Sequence, residues 1–241
     1  MKVLEVIAFD IGSCRMIEHA GAHRIELCAN PHEGGTTPSV GLVQQAMHSV
    51  QIPVFVMIRP RGGDFLYSVV EYAVMQEDIR YCKAQHCKGV VLGLLNRDGT
   101  VDYDRTAKLV ELAWPMEVTF HRAFDRVNDP EQALEVVINT GCNRILTSGL
   151  MPKAEQGIQT LASLIRQAGE RIVIMPGSGI NSGNIRRLAT ELNAAEFHTS
   201  ARTLVAGNME YTNEAMNEDL RYVQVDEEEV RRSVNELNSY V

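Results

Sequence analysis

The 241-residue chain contains no apolar stretch near the roughly 18 residues that a membrane-spanning helix needs. Its first residues, MKVLEVIAFDIG, carry an apolar run of only about six residues before Asp10, with no small-residue cleavage site behind it. No basic patch is present: 23 Lys and Arg face 31 Asp and Glu, for a net charge of -8. That balance excludes a generic nucleic-acid or anionic-membrane surface, although it leaves room for one small basic pocket. The five cysteines, Cys14, Cys28, Cys82, Cys87 and Cys142, are odd in number and scattered, so they outline no disulfide framework. Reduced thiols of a soluble cytoplasmic protein are the expectation. There is no CxxC, no HExxH and no zinc spacing. The ten methionines form no MxxM cluster of the kind a copper shuttle would use.

What is present is a regular alternation. β-Rich runs occupy Val3–Phe9, Arg24–Ala29, Pro53–Arg59, Gly89–Leu95, Met116–Arg122, Arg144–Ser148, Arg171–Met175 and Ala195–Ser200. Their starts lie about 28 residues apart, the size of one βα unit. Between them, Ser39–Ser49, Tyr67–His86, Asp104–Ala113, Asp129–Thr140, Lys153–Ala168 and Ser182–Leu192 place apolar residues at helical spacing. A last helix is expected over Glu227–Leu237, capped by Asp226, after a long loop from about Thr203 to Val225. The first βα turn, Phe9-Asp10-Ile11-Gly12-Ser13, lacks the GxGxxG of a dinucleotide fold. Eight such units without a linker predict one domain over 1–241, an α/β fold of the (β/α)₈ TIM-barrel type.

In such a barrel the strands' carboxyl ends carry the chemistry, and period-two alternation sorts each strand into inward and outward residues. The inward polar set is Glu5, Glu26, Arg59, Glu117, His121 and His198. Buried carboxylates need cations, and Arg59, Arg61 and Arg122 are the nearest candidates. Two readings compete: an ion-pair network that fills the barrel, or a pocket whose acid–base groups would be Glu26, Glu117, His121 and His198. Asp125 is placed to orient His121 or to pair with Arg122. The turn Gly177-Ser178-Gly179 after strand 7 would offer backbone N–H groups to an anion, with Arg202 at the end of strand 8 completing the site and Arg59, Arg61 and Arg122 as further anion holders. The expected partner is a small anionic or phosphorylated metabolite. For a soft metal the dense candidate is Cys82-x3-His86-Cys87, together with Cys28. The first three map to the barrel's amino-terminal rim, away from the expected site.

Several of these pieces occur in unusual combinations. They are Glu26-Leu27-Cys28 with the Gly34–Ser39 loop, the run from Val56 to Phe65 containing Arg59-Pro60-Arg61-Gly62-Gly63-Asp64, Thr119–Asp125, Leu146–Gly149, Pro176–Ile180 and Glu196-Phe197-His198. Over essentially the whole chain they resemble the CutC family. The resemblance implies a cytoplasmic (β/α)₈ barrel that forms homo-oligomers, and a role in copper homeostasis with copper as the bound ion.

Overall fold

Residues 2–239 are described by the structure, a computed structural model. Eight strands form one parallel sheet in the order β7-β6-β5-β4-β3-β2-β1-β8. They are β1 (Val3–Ala8), β2 (Arg24–Leu27), β3 (Val54–Met57), β4 (Gly89–Leu92), β5 (Glu117–Phe120), β6 (Arg144–Thr147), β7 (Val173–Pro176) and β8 (Glu196–Thr199). β7 and β8 lie against each other and close the barrel. Parallel strands must be covered on both faces, which is why four of these short segments are buried at every position and the other four at all but the first. The outward residues, among them Leu4, Val6, Ile25, Val56, Phe120 and Phe197, join the continuous core beneath the helices. A separate small cluster of Ile7, Cys28, Phe55, Met57 and Val91 packs inside the barrel.

The helices follow their caps. α1 (Ile11–His19) begins where the Asp10 side chain accepts from Ser13 N, and α2 (Val40–Ser49) where Ser39 accepts from Leu42 N. α3 (Val69–Ala84) starts at a capping box of Ser68 and Glu71, two residues inside the predicted boundary. α4 (Tyr103–Ala113), α5 (Pro130–Thr140), α7 (Ile185–Leu192) and α8 (Glu227–Asn238) match their predicted positions to within three residues. α6 (Ile158–Ala168) starts five residues later than Lys153. The cause is local: the chain from Ser148 folds back so tightly that a Cβ at Gly157 would stand 2.0 Å from the Ser148 carbonyl oxygen. Helix begins only beyond that contact. The expected loop after β8 is also partly ordered as an antiparallel ribbon, β9 (Arg202–Val205) paired with β10 (Tyr222–Val225).

The barrel floor requires glycine at position 89, where a Cβ would lie 2.4 Å from the Phe55 ring. Gly89→Val is expected to destabilise the protein by about 1–3 kcal/mol through overpacking, as denaturant unfolding will read out. Unchanged stability would mean that Phe55 has space to move.

Candidate functional site

The strand register builds two polar layers inside the barrel. Glu5 sits opposite Arg24 on one side and His198 on the other. Arg24 donates to Glu5 (Nε–Oε2 2.5 Å) and to Glu196, and its guanidinium lies 4.8 Å from the Phe55 ring. Arg144 covers the other face of this layer: it donates to Glu117 (2.5 Å) and Glu196 (3.0 Å) and lies 4.9 Å from the same ring. This lower layer is an ion-pair network, and it corrects three expectations. Its cations are Arg24 and Arg144, not Arg59, Arg61 or Arg122. Glu117 opens β5 at the amino-terminal end of the barrel with its side chain half exposed, so it does not join the acid–base group at the mouth. Glu196 is a network member absent from the expected inward set. The available signal was parity: Arg24 shares a face with Glu26, and Glu196 with His198.

The upper layer holds the groups that converge on the mouth. His198 Nδ1 lies 2.8 Å from Glu5 Oε1, and its Nε2 lies 3.9 Å from Glu26 Oε2. Burial works against a charge on Glu5, yet Arg24 and the bonds from His198 and Arg24 hold its carboxyl down at about 2. Burial opposes a charged His198 as well, but the Glu26 and Glu5 carboxylates outweigh it and raise the imidazole above its ordinary value. Glu26 goes the other way. Burial, reinforced by the Glu5 charge, outweighs the His198 charge and lifts it to about 7. Its Oε1 is buried and has no partner.

His121 ends β5 and caps the following 3₁₀ turn, its Nδ1 accepting from Ala123 N at 3.2 Å. A Cβ at position 93 would lie 2.5 Å from this ring, so glycine on β4's continuation is what lets the imidazole seat. Burial, helped by the Arg59 charge, pushes His121 down to about 3. Its Nε2 is buried and unpartnered. Asp125 does not orient it. That carboxylate accepts instead from Arg122 Nε (2.7 Å), Thr147 Oγ1 (2.5 Å) and the N–H groups of Ser148 and Leu150, fastening the β5 and β6 loops together.

Glu26, His121 and His198 line one cavity of about 200 Å³, together with Ser178, Gly179 and Arg202. A wider vestibule adjoins it, sharing Gly34, Arg59, Phe65 and Arg122. Ser178 and Gly179 both adopt positive φ (77° and 72°). Among the described residues their N–H groups find no acceptor, leaving an adjacent pair of donors at the mouth. Gly177 is committed otherwise: its N–H donates to Thr147 O at 3.0 Å, and a Cβ there would strike Leu146 at 2.5 Å.

The arginines divide by task. Arg202 borders the cavity and donates to Pro31 O at 3.1 Å, which ties the ribbon to the β2–α2 loop. Arg59 is spent mainly on loop carbonyls, Glu33 O (2.6 Å), Gly35 O (2.9 Å) and Gly63 O (2.8 Å), so it fastens two loops over the mouth. Arg61 bonds to Glu71 (2.5 Å) and Asp64 (2.9 Å) and lines neither cavity. Arg122 borders both cavities from its bonds to Asp125 and Ser148.

Among the described residues, one group of three possesses donor atoms within 4.8 Å of one another: Glu5, Glu26 and His198. This buried cluster could coordinate a metal. Two carboxylates and one imidazole suit a divalent ion better than Cu(I), which favours sulfur. The expected sulfur set is not assembled. The free thiols of Cys82 and Cys87 meet at the amino-terminal rim, a contact that together with burial pushes the Cys82 thiol up, while His86 is exposed. Cys28 lies at the opposite level, its Sγ 3.7 Å from Glu26 Oε2, and burial together with Glu26 pushes its thiol well above the ordinary range. A protonated thiol is a poor ligand for a soft ion. No helix among the described residues is long and apolar enough to cross a membrane.

This geometry has close relatives. A Chromobacterium violaceum CutC family protein is 50% identical over 210 residues, covering 87% of this chain and 85% of its own. The human copper homeostasis protein cutC homolog is 47% identical over 214 residues, covering 89% of this chain and 78% of its own. The solved structure of CutC from Streptococcus agalactiae superposes with a TM-score of 0.79 at 31% identity, over 83% of this chain and 99% of that one. The family profile described as CutC matches residues 2–203, a span that runs from β1 into β9 and takes in both polar layers and the mouth. By that match and those identities, the chain belongs to the CutC family.

Proposed function

We propose that the protein is an enzyme acting on a small anionic, phosphorylated metabolite at the carboxyl-terminal mouth of the barrel. The observation that carries this reading is one cavity lined both by Ser178 and Gly179, whose N–H groups have no acceptor among the described residues, and by Glu26 and His121, each with a buried acid–base atom, Oε1 and Nε2, that has no partner there. Leaving such atoms unmatched costs roughly 1–3 kcal/mol each, a cost that a ligand would relieve. Arg202 supplies the cation beside the N–H pair. His198, held between Glu5 and Glu26, keeps the Glu26 carboxylate in place. The five cysteines are all free and buried, which suits a reducing cytoplasm.

Calorimetric titration with inorganic phosphate and with 2-phosphoglycolate tests this reading. Binding is expected in wild type and about tenfold or more weaker in Arg202→Ala, the loss of one charge-assisted contact. If a broad panel of anions leaves both the heat signal and the melting temperature unmoved, the reading is wrong.

Metal binding is the second reading, supported by the cluster of Glu5, Glu26 and His198. It is where the copper role named in the human relative would reside, as the divalent ion. Equilibrium dialysis against Cu(II) and, under reducing conditions, Cu(I) separates the two ligand sets. Uptake lost in Glu26→Gln and His198→Ala assigns the carboxylate cluster, and uptake lost only in Cys82→Ser/Cys87→Ser assigns the rim thiols.

A further inference from the structure

His121 is held in one tautomer. Its Nδ1 accepts from Ala123 N, so in the neutral ring the proton is on Nε2. That N–H is buried, has no acceptor, and belongs to a ring lining the mouth cavity. The ring is walled by Phe65, with centroids 5.0 Å apart, and the Arg59 guanidinium lies 5.0 Å from the centroid of the same Phe65 ring. Among the described residues no carboxylate bonds to His121. It is thus built as a neutral hydrogen-bond donor, which polarises a carbonyl oxygen without surrendering a proton to it. Glu26 lines the same cavity, and its buried Oε1 accepts from no donor among the described residues.

From this pairing we infer that the mouth catalyses enolisation of a small phosphorylated α-hydroxycarbonyl compound. The inference rests on the anion-binding reading above and adds the reaction to it. The substrate's phosphate lies on the N–H groups of Ser178 and Gly179, beside Arg202. The His121 Nε2–H donates to the carbonyl oxygen. The Glu26 carboxylate takes the proton from the carbon next to the carbonyl. The C–H electron pair forms the new C=C bond while the C=O π pair moves to the oxygen, giving an enediolate. Glu26 then returns its proton to the carbon it came from as the oxyanion's electron pair re-forms the C=O bond. Delivery to the neighbouring carbon requires in addition that the enediolate's hydroxyl proton cross to the other oxygen, its loss from the first leaving the new carbonyl there. Charge and atoms balance, and no oxidant, reductant or metal enters.

Two measurements on the full-length protein, kept in a chelator, test it. The first is ¹⁵N NMR of the histidine rings, free and with phosphoglycolohydroxamate, an enediolate mimic. The expected result is a neutral Nε2–H form for His121 across neutral pH, with that proton moving downfield on binding. The second follows C–H to C–D exchange in D₂O for a panel of three- to six-carbon aldose and ketose phosphates. At least one is expected to exchange, about 10²-fold or more slowly in Glu26→Gln and in His121→Ala, with part of the rate restored in His121→Gln, whose amide offers an N–H. An Nδ1–H tautomer, exchange that survives Glu26→Gln, or no exchange from any of the panel while inorganic phosphate binds would overturn the enolisation. Failure of inorganic phosphate to bind would instead overturn the anion-binding reading beneath it. Because the tautomer is read in wild type, a variant that fails to fold leaves the NMR result standing.

Discussion

Replacing Arg24 with methionine is expected to destabilise the protein by about 3–5 kcal/mol, the usual consequence of stranding a buried charge. For a chain of this length that corresponds to a fall in melting temperature of about 6–20 °C. The guanidinium is almost fully buried, bonds to both Glu5 and Glu196, and also reaches Met175 Sδ at 3.2 Å. Methionine keeps most of the stem against Phe55, so the difference reports the charge. Glu196 retains Arg144, but Glu5 is left with His198 alone. The double variant Arg24→Met/Glu5→Gln should recover much of the loss, because no uncompensated carboxylate then remains. Arg171→Met is the control: its bidentate pair with Glu135 is on the surface and should be worth under about 1 kcal/mol. A loss below about 1 kcal/mol for Arg24→Met would show that the lower layer does not stabilise the barrel.

Acidification is expected to remove stability through His121. Unfolded, the ring takes up a proton near its ordinary 6.5; folded, it resists down to about 3 because of burial and the Arg59 charge. Between those values the unfolded chain binds more protons, so its contribution is complete above pH 6.5 and is lost as the pH falls towards 3. The slope is about 1.4 kcal/mol per pH unit, and the whole window is worth on the order of 5 kcal/mol. Glu26 has the opposite sign. Its folded value of about 7 exceeds its unfolded 4.5, so its contribution is present below 4.5 and fades as the pH rises through 7. The measurement is therefore a difference: urea unfolding of wild type and His121→Gln at about pH 7 and about pH 4.5. The gap between the two should narrow by about 2 kcal/mol or more at the lower pH. A gap that does not change with pH would mean that His121 is protonated, or reached by water, in the folded state.

The barrel was legible in the sequence because it depends on local properties. Apolar runs of four to six residues at a spacing of about 28 residues form parallel strands whatever their neighbours are, and Asp10, Ser39, Ser68 and Asp129 satisfy helix-start N–H groups within three residues of themselves. Parity along β1, β2, β5 and β8 also placed Glu5, Glu26, His121 and His198 inside, since alternation requires no knowledge of partners.

Depth and partnership belonged to the tertiary structure. Glu117 and His121 share parity on β5 and end at opposite ends of the barrel, because four residues of strand separate floor from mouth. Arg24 opens β2 and Arg59 follows β3 by two residues, yet Arg59 tethers loop carbonyls and Arg24 neutralises Glu5. That difference follows from the sheet register, which sets Arg24 beside Glu5, and from the loop path, which brings Gly35 and Gly63 to Arg59. Which elements form and which face each residue takes follow from local order along the chain, because backbone propensity and periodicity act over a few residues. Only the closed barrel decided which charges meet, since ion pairs between residues as distant as Glu5 and His198 exist only once strand order and stagger bring β1 and β8 together.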